Sequence, residues 1–252
     1  MKQASVTVIS NAEIVPQVHL LWLEAPEIAA AARPGQFVMV RCGASHDPLL
    51  RRPLSIHRVA EARQIALLFG VVGRGTGWLS RRREGDVVDL LGPLGNGFSI
   101  QPSARSLLLV AGGIGVAPLV FLAAEALDTG HDVTLLSGAQ SASGQYPGSL
   151  LPPKARLVTA TEDGSEGLRG VVVDHIDDYA GQADQVFACG PVAMYRSMAE
   201  KQCLTKRPVQ ISLETMMGCG LGACYGCGTR TRKGTRMVCH DGPVFELGDV
   251  IW

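Results

Sequence analysis

The chain has 252 residues, of which 46% are apolar and 18% charged, and its 23 basic side chains balance its 23 acidic ones to a formal net charge of zero. This length accommodates one large domain or two to three small ones, and the composition excludes a disordered or coiled-coil protein. A balanced charge leaves no broad basic surface, which excludes nucleic acid and anionic lipid as the main binding partners.

Residues 1 to about 100 contain short strand-like runs separated by turn sequences such as Pro34-Gly35 and Gly92-Pro93. Many short strands at this spacing predict an antiparallel barrel or sandwich. The predicted strands cover residues 6–9, 19–23, 37–41, 54–59, 65–72 and 87–91. The first ten residues lack the basic head and apolar block of a signal peptide, so we expect a cytoplasmic protein.

Two short motifs in this part are typical of phosphate binding. The run Arg52, Pro53, Leu54, Ser55 begins a predicted strand and provides a guanidinium group and a hydroxyl group, both of which suit a pyrophosphate. The run 73–77, Gly-Arg-Gly-Thr-Gly, precedes a short helix predicted over 78–82, and a glycine-rich turn before a helix is a ready anion site. Each motif alone also fits an ordinary turn, but together they indicate a phosphate-bearing cofactor.

The pattern changes at about residue 106, where apolar strands begin to alternate with helical stretches. Such alternation predicts a parallel sheet covered by helices. The predicted strands are 107–110, 133–136, 156–160 and 185–188, and the helices are about 116–127 and 192–202. Residues 101–105 form the predicted linker. A membrane span over 107–124 is disfavoured because glycines and Pro118 interrupt it.

A glycine-rich turn follows the first strand of this second part. Gly112, Gly113 and Gly115 would let the main chain approach a pyrophosphate at the start of the next helix. Because Pro118 stands where the dinucleotide fingerprint has its last glycine, a plain strand-to-helix turn stays open as an alternative.

The carboxyl ends of the later strands carry further candidates, since ligands bind at that edge of a parallel sheet. Cys189, Gly190 and Pro191 follow the last predicted strand, where Cys189 is either a packing residue or a neighbour of the nicotinamide. The run 162–165, Glu-Asp-Gly-Ser, is equally consistent with a ligand contact and an exposed turn. No cluster of arginines follows Leu136 to bind a 2′-phosphate, which favours NAD over NADP.

Four of the seven cysteines lie in the last 34 residues. Cys219, Cys224, Cys227 and Cys239 have the spacing C-x4-C-x2-C-x11-C, whose first three members match plant-type [2Fe–2S] proteins. Interleaved glycines allow the tight curvature that such a loop requires. A zinc site is the alternative, but only one C-x2-C pair is present, and unligated thiols are a third. The other three, Cys42, Cys189 and Cys203, are predicted to be small buried side chains.

Together these motifs resemble ferredoxin–NADP reductase-type flavoproteins with an additional iron–sulfur tail. More narrowly, the chain resembles the electron-transfer subunits of bacterial NAD-linked (class 1B) dihydroorotate dehydrogenases. The resemblance rests on Arg52–Ser55, Gly73–Thr76, Ala111–Pro118, Cys189–Pro191 and the tail, in which 212–219 and 239–245 are the most specific parts.

The resemblance implies a β plus α/β fold in three domains. These are an antiparallel FAD-binding β-barrel over 1–101, a Rossmann-like NAD-binding domain with a parallel sheet over 102–208, and a small [2Fe–2S] domain over 209–252. The FAD contacts it implies are Arg52, Pro53, Leu54, Ser55, Phe69, Gly70, Val71, Gly75 and Thr76. The NAD contacts are Gly112, Gly113, Gly115, Cys189, Gly190 and Pro191, and the cluster ligands are Cys219, Cys224, Cys227 and Cys239. A larger residue is expected at Gly70, so that contact would involve backbone only.

The implied function is electron transfer, with no catalytic residue of its own. An FMN-containing catalytic subunit would oxidise dihydroorotate to orotate in pyrimidine biosynthesis, and electrons would pass through the cluster and FAD to NAD+, in a heterotetramer of two plus two subunits. A subunit of a transhydrogenase or sulfhydrogenase complex and a zinc-bearing interaction module are the alternatives. His46 and Asp47 are expected in a solvent-facing loop, and 81–83, three arginines, at a solvated helix end or a docking site.

Overall fold

The first ninety-odd residues fold into a closed antiparallel barrel, which confirms the predicted architecture. The computed structural model describes residues 1–43 and 48–252, so the expected positions of His46 and Asp47 lie outside the described residues. The strands run in the order β1-β2-β5-β4-β3-β6 around the barrel. They are β1 (Lys2–Val15), β2 (Val18–Glu24), β3 (Phe37–Val40), β4 (Arg52–Ala60), β5 (Gln64–Gly70) and β6 (Val87–Leu94). A short helix, α1 (Pro26–Ala29), lies between β2 and β3.

The glycine-rich motif after β5 differs from its prediction. Helix α2 (Arg74–Leu79) begins four residues earlier than the predicted start at residue 78 and contains most of the motif. The Thr76 hydroxyl explains the early start, since it accepts hydrogen bonds from the N–H groups of Val72 (3.0 Å) and Gly73 (3.2 Å). These bonds satisfy donors that an uncapped helix start leaves without partners.

The second part forms a mostly parallel sheet with helices packed on it, again as predicted. The strand order is β10-β9-β8-β7-β11-β12-β15, and every neighbouring pair is parallel except β12 with β15. The strands are β7 (Ser106–Gly112), β8 (Asp132–Ala139), β9 (Arg156–Thr161), β10 (Leu168–Arg169), β11 (Gln185–Cys189), β12 (Val209–Ser212) and β15 (Val244–Glu246). The helices are α3 (Val116–Asp128), α4 (Ile176–Ala180) and α5 (Val192–Glu200).

The cysteine-rich tail is continuous with this sheet. β12 and β15 lie beyond residue 208 yet complete the sheet edge next to β11. Between them, β13 (Gly228–Thr231) and β14 (Gly234–Met237) form a separate two-stranded hairpin. The domain boundaries at 101 and 208 stay predictions, although sheet pairing extends past the second of them.

Helix α3 packs between barrel and sheet. Phe121 of α3 belongs to the apolar core inside the barrel, while Leu68 of β5 belongs to the core that α3 forms with the sheet. This sharing of side chains gives the two parts a common buried apolar surface. Among the described residues, no helix has the length and apolar character needed to span a membrane.

Candidate cofactor sites

The four tail cysteines are brought together as two pairs. Cys227 Sγ lies 3.2 Å from Cys239 Sγ, and the thiol of Cys219 is hydrogen-bonded to Cys224. A [2Fe–2S] cluster takes four cysteine thiolates, two on each iron, so two adjacent pairs fit this group. In the described part of the chain, no three His, Cys, Asp or Glu side chains are gathered closely enough for a single metal ion.

Backbone N–H groups point at the cysteine sulfurs. Leu221 donates to Cys219 Sγ at 3.3 Å, and Gly222 donates to Cys239 Sγ at 3.1 Å. Such hydrogen bonds stabilise negative charge on sulfur and contribute to the reduction potential of a cluster. The donor set therefore suits a group in which the sulfurs carry charge.

The environments of the two pairs differ. Burial raises the pKa of Cys219, but N–H donors from Leu221 and Cys224 outweigh it and lower that pKa to about 6. For Cys239, burial and then the neighbouring Cys227 raise the pKa to about 12. Cys227 and Cys239 are buried, whereas Cys224 is exposed. Cys227 and Cys239 therefore lie inside the protein, whereas Cys219 is half-buried and Cys224 lies at the surface.

The cluster loop, residues 218–228, packs directly on the barrel. Gly220 has a left-handed backbone (φ +74°), and a Cβ there would lie 2.6 Å from Cγ of Met39 on β3. Only glycine adopts this positive φ without strain and has no Cβ to clash with Met39. The chain after Cys239 is fixed by Asn96, whose Nδ2 donates to the carbonyl groups of Asp241 (3.0 Å) and His240 (3.3 Å).

The two phosphate-type motifs of the barrel lie against each other. A Cβ on Gly75 would be 2.8 Å from Nε of Arg52, so the guanidinium group rests on the backbone of α2. Arg52 Nη1 also donates to the carbonyl of Leu50 at 2.6 Å. The arginine is half-buried and held in place, as a group that grips a pyrophosphate must be.

The remaining flavin candidates surround this pair. Pro53, Leu54 and Ser55 are half-buried on β4, where Pro53 pairs with Met39 and Ser55 with Phe37 of β3. The side chain of Phe69 is buried in the barrel and stacks on His19, with ring centroids 5.7 Å apart. Gly70 pairs with Val18, and the N–H of Val71 donates to the Gln17 carbonyl at 2.8 Å. Their contacts with FAD stay predictions.

A cavity of about 410 Å³ opens at the carboxyl ends of β7, β8 and β9. Its size lies in the range of small-molecule sites, and this edge of a parallel sheet is the expected position for a nucleotide. Of the predicted NAD residues, the cavity is lined by Gly112, Gly113 and Pro191. Glu162, for which the sequence was equally consistent with a ligand contact and an exposed turn, also lines the cavity. Other lining residues were not predicted from the sequence, among them Gln140, Val172, Met194 and Ser197.

Three other NAD candidates lie behind the cavity wall. A Cβ on Gly115 would be 2.0 Å from the Cys189 carbonyl oxygen, and one on Gly190 would be 2.7 Å from Cε of Met194. Cys189 is almost fully buried, and burial raises the pKa of its thiol well above the usual value. The structure thus favours the packing role for Cys189, with the two glycines allowing turn and helix to meet closely.

Comparisons with known proteins agree with this arrangement. The sequence model described as the iron–sulfur cluster binding domain of dihydroorotate dehydrogenase B matches residues 214–251. The chain is 39% identical over 247 residues to the dihydroorotate dehydrogenase B (NAD(+)) electron transfer subunit of Desulforamulus reducens, covering 95% of this chain and 94% of the relative. The Bacillus caldolyticus protein of the same description is 40% identical, with 97% of each chain covered.

Solved structures show the same fold. The structure of an NADH-dependent reduced ferredoxin–NADP oxidoreductase, from a study of flavin-based electron bifurcation, superposes with a TM-score of 0.89 at 30% identity, covering 99% of this chain and 90% of that one. A ferredoxin NADP+ reductase from Neisseria gonorrhoeae with bound FAD and NADP has a TM-score of 0.66 at 17% identity, covering 81% and 91%.

Proposed function

Because this chain belongs to the family of dihydroorotate dehydrogenase B (NAD(+)) electron transfer subunits, we propose that it passes electrons from a catalytic subunit through a [2Fe–2S] cluster and FAD to NAD+. The catalytic subunit is proposed to contain FMN and to oxidise dihydroorotate to orotate in pyrimidine (UMP) biosynthesis. The assembly is a heterotetramer of two subunits of each kind. The cytoplasmic location stays a prediction.

One observation carries the proposal. The side chain of Met39 packs against Gly220 of the cluster loop, while its backbone pairs with Pro53 in the flavin motif. Met39 is fully buried, so one buried residue of β3 contacts both the cluster loop and the flavin motif. An electron carrier at the four cysteines and another beside Arg52 are therefore neighbours, which is what transfer between them requires.

Side chains and backbone groups of this chain would hold the [2Fe–2S] cluster and FAD. Cys219 and Cys224 would bind one iron and Cys227 and Cys239 the other, with N–H donors from the loop offsetting charge on the sulfurs. Arg52 and the backbone at 75–76 would hold the FAD pyrophosphate, with Thr76 fixing the start of α2. When bound, FAD supplies the change from one-electron exchange with the cluster to two-electron hydride exchange with NAD.

The nicotinamide nucleotide is assigned to the 410 Å³ cavity. Gly112 and Gly113 bring the main chain to the cavity surface without a Cβ in the way, as close approach to a pyrophosphate requires. The cavity contains Glu162 but no arginine or lysine among its lining residues in the described chain, so it offers no charge partner to a 2′-phosphate. This charge pattern supports NAD as the substrate.

The catalytic subunit is proposed to dock on the face around Cys224. Three large apolar side chains in or next to the cluster loop are exposed, namely Met216 (90%), Tyr225 (73%) and Leu221 (43%). Apolar patches of this kind on a soluble surface mark interaction sites. Docking at this face would bring a partner cofactor to the exposed pair of cysteine ligands and leave the nucleotide cavity open.

The test is to purify the chain without oxygen and measure its visible spectrum together with iron, zinc and flavin content. The proposal requires flavin and iron–sulfur absorption, with one FAD and two irons per chain. A colourless protein with stoichiometric zinc would refute it. Co-expression with an FMN-containing barrel protein should then yield a complex that forms orotate from dihydroorotate and NAD+, whereas a transhydrogenase or sulfhydrogenase subunit would form none.

A further inference from the structure

A buried histidine connects the barrel to the sheet. The side chain of His57 on β4 has no exposed surface. Its Nδ1 lies 2.8 Å from the carbonyl oxygen of Ala117 in α3, and its Nε2 lies 3.0 Å from the hydroxyl of Tyr146, in the loop after β8. The partners are 60 and 89 residues away in the chain. We call this three-residue arrangement the interdomain bridge.

The hydrogen bonds of the bridge have a defined direction. A carbonyl oxygen only accepts, so Nδ1 carries the proton and Nε2 is the acceptor for the Tyr146 hydroxyl at 3.0 Å. The same hydroxyl lies farther, 3.4 Å, from the carbonyl oxygen of Leu150. Burial lowers the pKa of His57 to about 4, with the Ala117 carbonyl acting in the opposite direction and Arg58 adding to the decrease. The imidazole is therefore neutral at physiological pH, and both ring nitrogens are satisfied.

A β-bulge places the histidine in this position. Ile56 pairs with Leu67 of β5 and Arg58 pairs with the next residue, Ala66, so β4 contains one extra residue, His57. Bulges redirect side chains and are over-represented beside functional sites. Arg58 strengthens the connection, because its Nη2 donates to the carbonyl of Leu150 in the loop that carries Tyr146.

The bridge joins the two proposed cofactor sites. His57 follows Ser55 of the flavin motif by two residues on the same strand, and Ala117 follows Gly115 of the nucleotide turn by two residues. A shift of β4 relative to α3 would change the separation of flavin and nicotinamide. Hydrogen bonds between buried groups resist such a shift, because breaking one leaves a polar group buried without a partner.

We propose that His57 and Tyr146 are positioning residues that set the distance and angle between the flavin and the nicotinamide. The proposal rests on the proposed function. In that reaction, tested in the direction of NADH oxidation, the dihydronicotinamide ring would transfer a hydride to bound FAD, so that NADH becomes NAD+ and the flavin gains two electrons together with the proton of the hydride. Reacting atoms must be about 3–3.5 Å apart, and a displacement of about 1 Å can cost on the order of 100-fold in rate.

The test compares two variants that break one hydrogen bond from opposite sides. Tyr146→Phe removes only the hydroxyl, and His57→Asn keeps a donor near the Ala117 carbonyl but loses the acceptor for Tyr146. Tyr179→Phe is the matched control, because its ring packs near the Arg156 guanidinium group at the surface, away from the bridge. Stopped-flow absorbance gives the rate of flavin reduction by NADH and by C4-deuterated NADH, per bound flavin, in the holoprotein.

Both bridge variants should reduce their flavin about 10- to 100-fold more slowly. They should show a larger isotope effect and unchanged NADH affinity, and the double variant should be no slower than either single one. The proposal is overturned if the rate per flavin matches wild type while only the melting temperature falls, since that result indicates packing alone. A wild-type chain that binds no flavin, or whose flavin NADH does not reduce, would instead refute the proposed function.

Discussion

Replacing Gly220 by alanine tests whether the cluster loop is held against the barrel by one close contact. The backbone at Gly220 has φ +74°, a conformation that costs an L-residue roughly 1–2 kcal/mol. The added methyl group would also lie 2.6 Å from Cγ and 3.1 Å from Sδ of Met39, which is fully buried and has little room to move. Overpacking of this kind costs roughly 1–3 kcal/mol, so the sum is about 2–5 kcal/mol against loop closure.

The assay is the urea concentration at which the visible absorbance of the cluster is lost, followed beside iron content and the rate at which NADH reduces the cluster through the flavin. Gly234→Ala is the matched control, because Gly234 has φ +92° in the tail hairpin and no neighbour within 4 Å. This control introduces the backbone strain of a positive φ without a steric clash, so the difference between the two variants measures the clash with Met39. Adding Met39→Ala to Gly220→Ala should recover part of the loss, since it removes the atoms that clash.

Gly220→Ala should therefore lose its cluster at lower urea than Gly234→Ala and pass electrons from flavin to cluster more slowly, with flavin reduction by NADH unchanged. Equal cluster retention in the two variants would show that the contact with Met39 does not determine how firmly the loop is held.

Three further outcomes are expected. Cys224→Ser should abolish electron delivery to the partner but retain NADH oxidation by artificial acceptors; loss of both in a folded, FAD-loaded variant would contradict separate roles. Arg52→Ala should lose FAD on gel filtration, whereas Arg63→Ala, which removes only a surface ion pair with Glu24, should keep it; equal flavin content would count against the pyrophosphate assignment. Because burial lowers the pKa of His57 from 6.5 to about 4, the unfolded chain takes up a proton over that range which the folded chain does not. Between pH 6.5 and 4, the free energy of unfolding measured with urea should thus decrease by about 3 kcal/mol more in wild type than in His57→Asn. An equal decrease in the two proteins would be inconsistent with a buried neutral imidazole.

Local pattern was sufficient for much of the architecture. Short apolar runs between turn sequences predicted the six barrel strands, because each run has the length of one strand and the turn residues mark its ends. The spacing of Cys219, Cys224 and Cys227 predicted an iron–sulfur loop for a similar reason, since ligands of one group must lie within a few residues of each other. Helix α2 was less well predicted, because its start at Arg74 depends on the hydroxyl of Thr76 rather than on apolar periodicity.

Other features have no counterpart in local sequence. Strand β12 was predicted to belong to the tail, yet it pairs with β11, and this pairing depends on where the chain returns after α5. Met194 and Ser197 line the nucleotide cavity because α5 begins at the sheet edge, and nothing in their own sequence distinguishes them from surface helix residues.

The sequence by itself predicted the main strands and helices, the four candidate cluster cysteines and the two phosphate-type motifs, since each depends on residues close together in the chain. Only the tertiary structure decided that Met39 separates cluster loop from flavin motif and that His57 meets Ala117 and Tyr146. Such contacts join residues between 60 and 181 positions apart. Their energy comes from burial and hydrogen bonding across packed surfaces, which exist only once the barrel, sheet and tail have come together.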